Sequence, residues 1–184
     1  MMRIFIAIEL PKEIKKELLK MQGNFQQIRA KWVRPEHMHL TLVFLGDVDE
    51  SRIMEIQDIC HKVAKEFEPF EIELSGLGAF PDLWRAHTLW IGIKNSVALN
   101  QLQKSLSEEL KNNSFQVENR PFIPHLTLAR FKKRLNLKNA ITKFAKANLG
   151  KIKVAEFIVF ESKLLPQGPK HKIVKRLRLG CQYG

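Results

Sequence analysis

His39-Leu40-Thr41-Leu42 and His125-Leu126-Thr127-Leu128 are two copies of one four-residue string at distant places in the chain. In an extended strand, side chains alternate between faces. Each copy therefore sets an imidazole and a hydroxyl on one face and two leucines on the other. The leucines suit a core, and the polar pair suits the surface above it. Histidine titrates near neutral pH and serves as proton donor or acceptor. Two such strands brought together would surround a small anion with two imidazoles and two hydroxyls. That set supports acid–base chemistry at a phosphate without a metal. Each copy on its own is ordinary half-buried strand sequence. Repetition is what separates the pair from background: of six histidines, at 37, 39, 61, 87, 125 and 171, two carry the whole string.

The remaining histidines and cysteines point to no second chemistry. His37 lies two residues before His39 and would share its face in a continuous strand. A zinc site needs at least three protein ligands, and no third ligand cluster is visible. No metal and no cofactor are expected. His61 falls on a helical pattern and His87 at the start of a strand, both structural or solvent-facing. Cys60 and Cys181 are isolated, which excludes a disulfide framework and a zinc cluster. Cys60 sits on an apolar helical stripe and reads as core.

The 184-residue chain carries a formal charge of +12 and has an isoelectric point near 9.9. Such an excess favours a polyanionic partner, nucleic acid first, against the alternative of a solvated lysine-rich surface. Lys132, Lys133 and Arg134 follow the second motif, and Lys170, Lys172, Lys175, Arg176 and Arg178 lie near the end. Hydrophobic residues at 45% and charged residues at 27% describe a globular protein. The apolar run at residues 4–8 is too short for a signal peptide or a membrane span. A cytoplasmic protein with no membrane partner is expected.

The elements that must position the motifs follow from periodicity. Strands are expected at 3–9 and 38–45, with a helix from Pro11 to about 29 carrying Leu18, Met21, Phe25 and Ile28. Pro35 breaks the connector at 32–37. A second helix carries Ile53, Ile56, Cys60, Val63 and Phe67, capped by Asp47 or Asp49. Strands at 70–78 and 87–93 precede a helix carrying Leu99, Leu102, Leu106 and Leu110. Strands at 125–131, 151–161 and 171–179 follow, with a helix at 136–146 and a turn at 165–169. No linker divides the chain. The motifs are 86 residues apart, which suggests two α+β lobes in one compact domain over 1–184, each giving one central strand to a shared cleft.

With these residues in view, the chain resembles the two-histidine phosphoesterase superfamily. Within it, the chain is similar to the 2′-5′ RNA ligase family, also described as RNA 2′,3′-cyclic phosphodiesterases. The resemblance runs through Arg3-Ile4-Phe5-Ile6-Ala7-Ile8, Trp32, and the first motif with Val43-Phe44-Leu45-Gly46. It continues through Phe80-Pro81, Leu89-Trp90-Ile91-Gly92, Phe122-Ile123-Pro124 with the second motif and Ala129-Arg130, and the stretch from Ser162 to Gly168. It implies an α+β, bilobal, pseudo-twofold arrangement of two antiparallel sheets lining a central cleft, with helices outside. It also implies metal-independent hydrolysis of RNA 2′,3′-cyclic phosphate ends to 2′-phosphates, with tRNA fragments among the candidate RNAs, and reversible 2′-5′ ligation. A monomer is expected. Family members often carry a tyrosine where this chain has His171.

In-line displacement at phosphorus needs a base for the attacking water and an acid for the departing oxygen, on opposite sides. The residues alone leave open which histidine does which. Thr41 and Thr127 are suited to donate to the non-bridging oxygens, and the resemblance assigns His39 as acid and His125 as base. It further suggests Arg130 near phosphate and Phe44 stacking on a base. Both lie five residues after a motif histidine, and an odd offset in a regular strand points to the wrong face. Each strand must therefore twist, bulge or end first. The competing readings are a cyclic phosphodiesterase acting on a small nucleotide and a non-catalytic RNA-binding protein.

Overall fold

The computed structural model describes residues 1–166 and 168–180. Gln167 of the expected turn and Cys181 lie outside the described residues. In chain order the elements are β1 (Met2–Glu9), α1 (Lys12–Gly23), β2 (Lys31–Trp32), a 3₁₀ turn at Pro35–His37 and β3 (His39–Val48). A 3₁₀ turn at Glu50–Arg52 leads into α2 (Ile53–Lys65), then β4 (Phe70–Phe80), β5 (Ala86–Ile93), α3 (Val97–Asn112) and β6 (His125–Leu135). The chain ends with α4 (Lys138–Ile141), a 3₁₀ turn at Thr142–Phe144, β7 (Asn148–Val154), β8 (Glu156–Leu165) and β9 (Gly168–Arg178).

The strands form two sheets, ordered β3-β1-β8-β9 and β2-β6-β5-β4-β7. Every pairing is antiparallel. Apart from the short β2, the sheets correspond strand for strand: β3 with β6, β1 with β5, β8 with β4 and β9 with β7. The motif strands β3 and β6 touch across the boundary between the sheets. This is the expected α+β pseudo-twofold architecture, except that the motif strands, expected to be central in their sheets, lie at the edge: β3 is outermost and β6 has only the two-residue β2 beyond it.

Burial explains why these segments take these forms. Ile56, Cys60 and Val63 of α2 and Leu99, Leu102, Leu106 and Leu110 of α3 are fully sealed. They share one core with Ile4, Ile6, Leu40 and Leu42 of the first sheet and Leu89, Ile91, Leu126 and Leu128 of the second. The leucines of both motifs thus enter the same core, as alternation requires. A separate small cluster of Phe5, Ala7, Ile158 and Phe160 lies outside that core on the first sheet. Ser96 caps α3 by accepting from the Leu99 N–H, and Asp49 caps the turn before α2 by accepting from the Ser51 N–H. Among the described residues no helix is long and apolar enough to cross a membrane.

Three elements differ from the periodic expectation. The first helix ends at Gly23, and Asn24 to Ile28 continue as hydrogen-bonded turns that still bury Phe25. The expected helix at 136–146 is a single α turn and a 3₁₀ turn. Its apolar stripe of Leu137, Ile141 and Phe144 is too short to bury more. The segment expected as one strand at 151–161 is two, separated at Ala155. β7 pairs with β4 in the second sheet, and β8 pairs with β1 and β9 in the first. An apolar run shows that a segment is buried, not which sheet it joins.

Candidate active site

β3 and β6 have the same local design. From the histidine onward their burial runs half-buried, buried, half-buried, buried, buried, exposed, buried in both strands. In β3, Thr41 pairs with Ala7 and Val43 with Ile6, so Leu42 is an extra residue. In β6, Thr127 pairs with Trp90 and Ala129 with Leu89, so Leu128 is the extra residue. An inserted residue reverses the parity of a strand. Each bulge therefore returns the residue five after the histidine, Phe44 or Arg130, to the solvent side with the imidazole and hydroxyl. The odd-offset objection is answered by the same device in both halves. The carbonyl of bulged Leu128 is not left bare: it accepts from the Val33 N–H and from buried Gln22 Nε2, each at 2.9 Å. Farther along β3, Gly46 takes φ +70°, which lets that strand run on to Val48 through a second irregularity.

His39 stands in a crowded aromatic setting. Its ring centroid lies 4.9 Å from Phe5, 6.2 Å from Phe160 and 5.3 Å from His171. His37, expected on the same strand face, is instead in the 3₁₀ turn, and its ring meets His171 at 5.2 Å. Burial, then the neighbouring His171, His37 and Lys15, pull the His39 pKa down to about 3, opposed by a hydrogen bond to the His37 backbone. The ring is neutral at pH 7.

His125 is held differently. Its Nδ1 lies 2.7 Å from the Ile123 carbonyl. A carbonyl only accepts, so Nδ1 carries the hydrogen and Nε2 presents a lone pair. Its walls are Phe80, edge-on at 4.8 Å, and Trp90 at 6.0 Å. The Trp90 ring covers Gly78 on the paired strand, where an added Cβ would come within 2.2 Å of the ring and force it to move. Burial lowers the His125 pKa, the Ile123 hydrogen bond opposes that, and the Arg130 guanidinium lowers it further. Arg130 thus lies close enough for its charge to be felt at His125.

Phe44 is 38% exposed, and the Arg3 guanidinium carbon lies 5.1 Å from its ring centroid. His87 is exposed and accepts from Arg134 Nε at 3.2 Å. Cys60 is fully buried, and its thiol pKa is raised by that burial. Among the described residues no group of histidine, cysteine and carboxylate side chains is arranged to hold a metal ion. Of the basic run near the end, Arg176 is engaged by Glu9 and Glu156. The ring walls Phe5, Phe160, Phe80 and Trp90 and the Ile123 carbonyl were not singled out from sequence as parts of the site. Periodicity marks such residues as buried and says nothing of what they touch.

Other proteins share both the sequence and the fold. A profile of the 2′-5′ RNA ligase superfamily matches residues 10–162. An RNA 2′,3′-cyclic phosphodiesterase of Methanocaldococcus jannaschii is 34% identical over 177 residues, 95% of this chain and 99% of that one. One of Thermotoga maritima is 33% identical over 185 residues, 99% of this chain and 96% of that one. The crystal structure of TT0787 of Thermus thermophilus superposes with a TM-score of 0.85 at 26% identity, covering 99% of this chain and all of that one. A superfamily profile over most of the chain, relatives matched nearly end to end and the paired-sheet fold agree, and the chain belongs to the 2′-5′ RNA ligase superfamily.

Proposed function

We propose that this protein is an RNA 2′,3′-cyclic phosphodiesterase that opens cyclic phosphate ends to 2′-phosphates using two histidines. The observation that carries the reading is the matched pair of bulged strands. Each presents histidine, threonine and a third side chain on one face, and the strands touch where the two sheets meet. Relatives named for this activity span nearly the whole chain and support the same substrate class.

In this mechanism His125 is the base. Its Nδ1–H is engaged by Ile123, so Nε2 accepts the proton of a water attacking phosphorus. The P–O3′ bond breaks as the P–O(water) bond forms, and His39 gives its proton to O3′, leaving a 2′-phosphate and a free 3′-hydroxyl. His39 is neutral at pH 7 in the free protein, so the acid must gain its proton with the substrate. The negative charge of a phosphodiester beside the ring favours imidazolium and moves its pKa upward, toward the range a general acid needs. Thr41 and Thr127 donate to the non-bridging oxygens, Arg130 offsets charge beside His125, and Phe44 stacks on a base in exchange for Arg3. A ribose 5′-hydroxyl in place of water would form a 2′-5′ linkage by the same bond changes. The substrate is an RNA end, tRNA fragments included, met by a monomeric cytoplasmic protein whose 184 residues act as one domain.

The test is turnover and binding of RNA ended in a 2′,3′-cyclic phosphate by His39→Ala and His125→Ala separately. Lost turnover with retained binding supports the reading. A wild-type protein that binds such RNA and never opens the ring would reduce it to an RNA-binding protein.

A further inference from the structure

Among the described residues, His171 has no histidine counterpart beside His125 on the other half-site. β9 carries it to the edge of the His39 setting, where its ring meets Phe5, His37 and His39 edge-on at 5.0, 5.2 and 5.3 Å. Its Nδ1 is sealed from solvent and, among the described residues, has no hydrogen-bond partner. A buried N–H without an acceptor is rarer in folded proteins than an acceptor lacking one donor. The hydrogen of the neutral ring therefore belongs on Nε2, leaving Nδ1 as a bare lone pair. Imidazolium would place a second, unanswered N–H on Nδ1 beside two further imidazoles. Burial and the adjacent His37 lower the His171 pKa, in keeping with a neutral ring. With Nδ1 sealed, Nε2 is the nitrogen left to meet a ligand.

We propose that His171 is a further substrate-contacting residue, whose Nε2–H donates a hydrogen bond to a phosphate oxygen of the anion seated at His39. The proposal rests on the cyclic-phosphate reading of this cleft. A neutral donor holds the anion without placing a further positive charge beside an imidazole that must carry a proton as acid.

Long-range proton–nitrogen NMR of the wild-type protein reads the tautomer directly, with Nε2–H expected. Inorganic phosphate affinity and kcat/KM on a cyclic-phosphate-ended oligonucleotide are then compared for His171→Phe and His171→Gln. Phenylalanine keeps a ring and removes the donor, and should weaken phosphate and lower kcat/KM by about tenfold, the scale of one hydrogen bond to an anion. Glutamine places an N–H₂ near the Nε2 position and should stay within about threefold of wild type. An Nδ1–H tautomer, equal losses in the two variants, an unchanged His171→Phe, or no phosphate binding by wild type would each overturn the proposal. If phosphate binding follows the expected pattern but the cyclic ester is never opened, the proposed function fails and the donor assignment stands.

Discussion

On the first sheet His39 lies among rings from β1, β8 and β9, and the β9 ring in turn meets that of His37 from the turn before β3. On the second, His125 meets two rings among the described residues and is tied to a main-chain carbonyl. The backbones beneath them match, down to one bulge after each threonine. The difference teaches that a duplicated scaffold sets where a side chain stands, while its walls set what that side chain can do. Two imidazoles in identical surroundings would compete for one role. Here burial and crowding with other imidazoles lower the pKa of one, while at the other burial and a nearby guanidinium lower it against the opposing pull of the Ile123 carbonyl.

The strongest way to break this comparison is to remove one imidazole at a time. His39→Ala and His125→Ala should each lower kcat by about 10²- to 10⁴-fold, the usual worth of general acid–base catalysis, measured by single-turnover opening of the cyclic end. A loss confined to one variant would show that the halves do not cooperate. Next come the bulge-directed side chains. Arg130→Ala should raise KM by about tenfold to a hundredfold through a lost charge-assisted contact. Phe44→Ala should cost less, about threefold to tenfold, as one exposed stacking contact. If Phe44→Ala is the more damaging, the assigned division of labour is wrong.

The scaffold itself gives the third test. Gln22→Leu strips a donor from the bulged Leu128 carbonyl, which still receives the Val33 N–H, and from the Val33 carbonyl. About 1–3 kcal/mol of stability should be lost, read by urea unfolding. Activity should fall in parallel with Arg130→Ala if the bulge is what aims that residue.

The last test of the comparison is the pH dependence of stability. The folded His39 binds its proton only near pH 3, against about 6.5 for an ordinary imidazole. Between those values the unfolded chain holds more protons than the folded one, so stability rises with pH across the window and is complete above it. Thermal unfolding midpoints from about pH 4 to 7 should therefore climb. His39→Gln should flatten the slope more than His125→Gln does. Equal slopes in the two variants would remove the proposed asymmetry.

Several of these features are legible in the sequence alone. The repeated His-x-Thr string, its alternation and the apolar stripes of α2 and α3 placed the leucines inside and the polar pair outside. Even the bulges had a trace: Leu42-Val43 and Leu128-Ala129 are consecutive apolar pairs that break the alternation just before Phe44 and Arg130. Local pattern carries such information because burial on one face is a property of neighbouring residues. The split at Ala155 was not legible, because both halves of that run are buried and only the partner changes. The same limit applies to His171, which lies far along the chain from His39 and meets it only through the pairing of remote strands. Residue types and spacing by themselves settled what groups were present, which face each occupied and which family the chain resembles. Which rings crowd which histidine, and hence how each imidazole holds its proton, was decided by the tertiary structure, because desolvation and charge act through space between strands remote in sequence.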